Sequence, residues 1–124
     1  MKAVGLDAIE IARVAEAIAQ HGERFLDRVF TDAERAHAQD RGASASQFYA
    51  GRFAAKEAVL KALGTGYAKG LAFHEVEILP GPDGDPRVTL HGAARARAAE
   101  LGLATILVSI SHTRENAHAV AVGG

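Results

Sequence analysis

The chain has no cysteine. That excludes disulfides and thiolate metal sites. It has little aromatic residue, 6 % of 124 positions, although 48 % are apolar. Alanine supplies much of the difference, so the core must be built from small aliphatic side chains and be short of volume. Association with further copies would relieve that shortage. Net charge is nearly absent, −1 with histidines neutral, which argues against bulk electrostatic binding to nucleic acid. Charged partners would have to be read by local clusters. No apolar run approaches the roughly 20 residues of a membrane helix. The start, "MKAVGLDAIEI", does not read as a secretory signal, so the expectation is a cytoplasmic protein. Repeats, low-complexity tracts and internal linkers are also missing, and the length suits one domain, residues 1–124.

What is present alternates between two periods. "KAVGL" (2–6) suits a buried strand. From Ile9 onward Ile11, Val14, Ala15 and Ile18 recur with helical spacing to about Gly22. Asp7 then falls at the junction, where it could cap the helix. Thr31 and Glu34 fit a capping box for a second helix. A loop over 42–46, with Ser44 or Ser46 as cap, leads into a long helix from about Gln47 to Leu63, stopped by Gly64. "FHEVEIL" (73–79) and "RVTL" (87–90) flank a Pro/Gly cluster and predict a hairpin. An alanine-rich helix follows over 92–101. Then come a strongly apolar strand, "TILVSIS" (105–111), a tight turn "HTRENA", and a closing strand "HAVAV" (118–122). The expected class is α+β, an antiparallel sheet packed with a long central helix.

Chemistry concentrates on that helix and the two strand ends. Arg52–Lys56 and Glu57–Lys61 are each four apart and share faces; Glu57–Lys61 alone reads as a surface ion pair. The helix ends in Gly64-Thr65-Gly66, where glycines allow close approach of a ligand and a hydroxyl can meet phosphate. It is not a P-loop, since it lacks Gly-Lys-Ser/Thr and follows no strand. None of the six histidines pairs with another at metal-ligand spacing, which disfavours zinc. His112 stands apart at a strand end, between Ser111 and Thr113, a frequent place for ligand contacts. There is no G-x-S-x-G elbow for a Ser–His–acid hydrolase. Asp7 and Glu57 are carboxylates set in apolar sequence. If the first strand lies beside the long helix they converge, and two carboxylates with open positions suit Mg²⁺ whose other ligands are substrate phosphates. Arg52 and Lys61 would hold those phosphates.

"GLDAIEIARV" (5–14), "RFLDRVFTDAE" (24–34), "GRFAAKEAVLKALGTG" (51–66) and "VSISHT" (108–113) together resemble the motifs of the holo-[acyl-carrier-protein] synthases, the short bacterial 4'-phosphopantetheinyl transferases. The resemblance spans most of the chain, in the family's order. It implies transfer of the 4'-phosphopantetheine arm of coenzyme A to a serine of apo-acyl carrier protein, in fatty acid biosynthesis, with adenosine 3',5'-bisphosphate leaving. It implies Mg²⁺ on Asp7 and Glu57, and a catalytic role for both with Lys61. Arg52, Lys61, Gly64, Thr65, Gly66, His112 and Thr113 fall in the coenzyme A site. Arg13 matches the family's arginine that meets acidic residues of the carrier; from charge alone, Arg13, Arg24 and Arg28 could form a local basic strip for the same partner. A homotrimer with active sites between subunits is implied too. The serine would lose its proton to Glu57 or to a water at the metal. The first block departs from the commoner G-I-D-I-V-E, and Asp85 stands where the family's hairpin often has lysine. Arg41 is a loose match to a basic residue before the long helix. A non-catalytic trimeric module that keeps the nucleotide pocket, or a transferase serving the carrier of another pathway, would share most of these residues.

Overall fold

A computed structural model describes residues 1–64 and 70–124. The chain runs through β1 (Ala3–Glu10), α1 (Ile11–His21), α2 (Glu23–Val29), α3 (Asp32–Gln39), a 3₁₀ turn (Gly42–Ser44), α4 (Ala45–Ala62), a second 3₁₀ turn (Phe73–Glu75), β2 (Val76–Pro80), β3 (Pro86–Leu90), α5 (Gly92–Glu100), β4 (Ile106–His112) and β5 (Asn116–Gly123). β1, β5 and β4 form an antiparallel sheet with β5 central, and β2 and β3 form a hairpin. The α+β class holds. No helix among the described residues is long and apolar enough to cross a membrane.

Small residues explain how the central helix meets the sheet. Ala50, Gly51, Ala54, Ala55 and Ala58 of α4 are buried, as are Ala117, Ala119 and Ala121 of β5. Backbones therefore approach closely. At Gly5 of β1 an added Cβ would lie 1.9 Å from the Ala58 carbonyl oxygen, so only glycine fits there. Side chains alternate across a strand, and Gly5 thus puts Asp7 and Ile9 on the helix-facing side as well. The opposite side of the sheet is left open: Val4, Leu6 and Leu107 are 58 %, 67 % and 69 % exposed.

Asp7 is not at a strand–helix junction. β1 continues to Glu10, pairing residue for residue with β5, and Asp7 sits opposite Ala119 in mid-strand. Ile9 satisfies the helical period but also the two-residue period of Gly5 and Asp7, and pairing with β5 decides between them. The position before α1 is held by Glu10, whose side chain makes no capping bond. α4 begins at Ala45, two residues before the expected start, and Ser44 donates to the Arg41 carbonyl instead of capping it. Its end is as expected, with Gly64 at φ +77. "FHE" leaves the strand as a 3₁₀ turn, because the Glu75 carboxylate accepts the backbone N–H groups of Ala72 and of Ala93 in the first turn of α5. The Thr31–Glu34 capping box is present.

That box has a second task. The Glu34 carboxylate, fully buried, accepts Thr31 N–H and Ile78 N–H and lies 2.8 Å from the ammonium of Lys56, also fully buried. Lys56 donates further to the Phe73 and Val76 carbonyls. The pair joins α3, α4 and β2, so Lys56 is a cation of the core rather than of any binding face. Burial pulls its pKa down, and Glu34 opposes that shift.

Candidate functional site

β1 and α4 bring Asp7 and Glu57 to one cavity of about 340 Å³, whose wall also includes Glu10, Arg13, Phe53 and Asn116. The two carboxylates converge as the sequence suggested. Burial raises the Glu57 carboxyl above its ordinary value, the negative charge of Asp7 adds to the shift, and Lys61 opposes it. A buried carboxyl pushed up by a neighbouring carboxylate marks a place short of positive charge. That is a fit for a hard divalent cation, and two protein oxygens leave room for water and phosphate ligands. Among the described residues no group of three or more His, Cys, Asp or Glu offers an alternative metal cage.

Lys61 does not form the helix-surface ion pair with Glu57. Its ammonium reaches across to β1, 2.9 Å from Asp7 Oδ1 and 3.0 Å from the Leu6 carbonyl oxygen. Its pKa is raised, first by the hydrogen bond to Asp7 and then by that carboxylate's charge.

Arg52 lies elsewhere. An α-helix turns about 100° per residue, so Arg52 and Lys61, nine positions apart, project from opposite sides of α4, about 180° apart. One chain does not bring them to the same phosphates. The Arg52 guanidinium stacks over the Phe48 ring at 4.6 Å, and Arg41 covers the same ring at 4.2 Å. Arg52 Nε is buried without a hydrogen-bond partner. Burial lowers the Arg52 pKa, and the Arg41 charge lowers it further. His112 Nε2 lies 3.2 Å from the Gln47 carbonyl oxygen. It rests on Gly51, where an added Cβ would stand 2.6 Å from that nitrogen. The glycine in "AGRF" is thus a seat for His112. Thr113 and Asn116 exchange backbone and hydroxyl hydrogen bonds that close the β4–β5 turn. Gly64 is placed at the end of α4, and Thr65 and Gly66 lie outside the described residues.

Arg13 lines the carboxylate cavity. Arg24 and Arg28 line a separate hollow of about 190 Å³ on α2 with His21 and Phe25. The two hollows share an aromatic wall, since Phe25 stacks on Phe53 with ring centroids 6.3 Å apart. Glu10, Phe53 and Asn116 were not among the expected site residues. Glu10 and Asn116 are register partners across β1 and β5, a relation that only strand pairing creates.

The family model of the 4'-phosphopantetheinyl transferase superfamily matches residues 3–122. The chain is 48 % identical over 122 residues to the holo-[acyl-carrier-protein] synthase of Solidesulfovibrio magneticus, covering 98 % of this chain and 97 % of that one. The crystal structure of the Helicobacter pylori holo-[acyl-carrier-protein] synthase in complex with coenzyme A superposes with a TM-score of 0.85 at 31 % identity, covering 98 % of this chain and 99 % of that chain. The Bacillus anthracis synthase in complex with coenzyme A (3',5'-ADP) gives 0.81 at 32 %, covering 98 % and 95 %. With the match running through both carboxylate-bearing elements, the chain belongs to the 4'-phosphopantetheinyl transferase superfamily.

Proposed function

We propose that the protein is a holo-[acyl-carrier-protein] synthase, which transfers the 4'-phosphopantetheine arm of coenzyme A to a serine of apo-acyl carrier protein. The observation that carries this reading is the convergence of Asp7 and Glu57 on one cavity. The serine oxygen bonds to the phosphorus that bears the pantetheine. The bond from that phosphorus to the bridging diphosphate oxygen breaks, and adenosine 3',5'-bisphosphate departs with the electron pair. The serine proton passes to a carboxylate of the cavity wall or to solvent.

Such a transfer asks for position and charge rather than covalent help. Mg²⁺ held by Asp7 and Glu57 would supply positive charge to the diphosphate and the departing phosphate. Lys61, beside Asp7, adds a mobile point charge to the same oxygens. Arg13, on the wall of the same cavity, would meet acidic residues of the carrier. Arg24 and Arg28 extend a cationic surface for an acidic carrier beyond the shared Phe25–Phe53 wall.

Arg52, His112 and Thr113 serve the nucleotide end from a neighbouring subunit. Two observations support a homotrimer with shared sites: Arg52 faces away from Lys61, and the outer side of the sheet exposes Val4, Leu6 and Leu107. Residues 1–124 work as one transferase domain, in the cytoplasm, feeding fatty acid biosynthesis.

Incubation with coenzyme A, Mg²⁺ and apo-acyl carrier protein tests the reading. The carrier should gain roughly 340 Da on one serine, the mass of the arm in this group transfer. Asp7→Ala and Glu57→Ala should lower the rate at least about a hundredfold while the protein stays folded. No mass gain by any apo-carrier offered, or near-normal turnover in either variant at saturating Mg²⁺, would overturn it.

A further inference from the structure

Lys61 is expected at the diphosphate, yet its ammonium lies on the very carboxylate that would take the metal, 2.9 Å from Asp7 Oδ1. Its second acceptor is the Leu6 carbonyl, so it spans two consecutive residues of β1. The Asp7 side chain is only 15 % exposed, against 54 % for Lys61. Asp7 sits at mid-strand in β1, paired in register with Ala119, on a short side chain. Lys61 has a four-carbon stem in the last turn of α4 and can swing. Glu57, across the cavity, has no bonded cation among the described residues.

We propose that Lys61 is an internal counter-cation for Asp7: it holds that carboxylate until the diphosphate of coenzyme A draws it away, so that metal and coenzyme A bind with positive coupling. The inference rests on the metal reading above. A divalent ion on Asp7 must displace the ammonium or sit against it, and either costs affinity. Coenzyme A offers Lys61 new anionic oxygens and so frees Asp7 for the metal. Coupling is reciprocal, so metal strengthens coenzyme A binding by the same factor. The lysine therefore works twice, as a lock on the metal-free pocket and as a ligand of the substrate. The metal site is thus weakened a few-fold until substrate is there to use it.

Mn²⁺ binding followed by electron paramagnetic resonance tests this with wild type, Lys61→Met and Arg13→Ala, each with and without coenzyme A. Lys61→Met keeps the alkyl stem and removes the charge. Arg13→Ala removes a charge from the same wall that is not bonded to Asp7. Without coenzyme A, Lys61→Met should bind Mn²⁺ about twofold to fivefold more tightly than wild type, as expected for release of a partly exposed ion pair. Arg13→Ala should change it less. The factor by which coenzyme A strengthens Mn²⁺ binding should be smaller in Lys61→Met than in wild type. Unchanged or weaker Mn²⁺ binding by Lys61→Met, an equal gain in Arg13→Ala, or an undiminished coenzyme A factor would overturn the counter-cation role and leave the metal site standing. Wild type that binds no Mn²⁺ even with coenzyme A would overturn the metal reading itself, and the counter-cation with it.

Discussion

Glu57 shows most directly how burial and charge prepare a residue for a metal. Its carboxyl is pushed up by burial, then by Asp7. A raised carboxyl binds its proton more firmly in the folded state than in the unfolded one. The metal-free protein therefore loses stability as the pH climbs from the ordinary carboxylate range through the raised value. Glu57→Gln should melt higher than wild type at neutral pH without metal, and the difference should vanish in acid, as read by thermal denaturation across pH. With Mg²⁺ present the order should reverse, because only the carboxylate gains from the cation. At this scale the sequence was half legible. The chemistry of Asp7 and Glu57 followed from residue type, but the partner of Lys61 did not. Spacing by four pointed it at Glu57, and only the register of β1 against α4 brings Asp7 within reach. Lys56 was misleading in the same way, since a charged residue at helical spacing reads as solvated until its buried acceptors are known.

Between elements, the Lys56–Glu34 pair fastens α3, α4 and β2, and α4 in turn carries Glu57 and Lys61. Lys56→Met leaves Glu34 buried without its cation. It should cost about 3–5 kcal/mol of stability by urea denaturation, with loss of Lys56's bonds to Phe73 and Val76 adding to it. A cost under about 1 kcal/mol would show the pair to be incidental. The helices, the capping box, the β2–β3 hairpin and the strand–turn–strand end were legible because each has a local signal. Three things were not: the length of β1, where Ile9 suits both periods; the 3₁₀ turn before β2, which depends on Glu75 reaching α5; and Gly51 as the seat of His112, which joins residues far apart in sequence.

For the whole molecule, the shortage of large apolar residues predicted a thin core and a need for other copies. On the outer side of the sheet Val4, Leu6 and Leu107 are open to solvent. If sites are shared between subunits, Lys61→Ala and Arg52→Ala fail for different reasons and in different half-sites. Each alone should be nearly inactive. Subunits mixed and reassembled should recover a substantial fraction of activity, as some interfaces then unite an intact Lys61 with an intact Arg52. Leu6→Asp should give monomers by light scattering and abolish transfer. Active Leu6→Asp monomers, or no recovery on mixing, would place the whole site in one chain.

The measurement closest to the centre of this account is a crystal structure with Mn²⁺ and coenzyme A, read by the anomalous signal of the metal. The account predicts one manganese coordinated by oxygens of both Asp7 and Glu57 and by the coenzyme A diphosphate, with the Lys61 ammonium moved from Asp7 to phosphate. A metal bound by only one of the two carboxylates, or by neither, would contradict it.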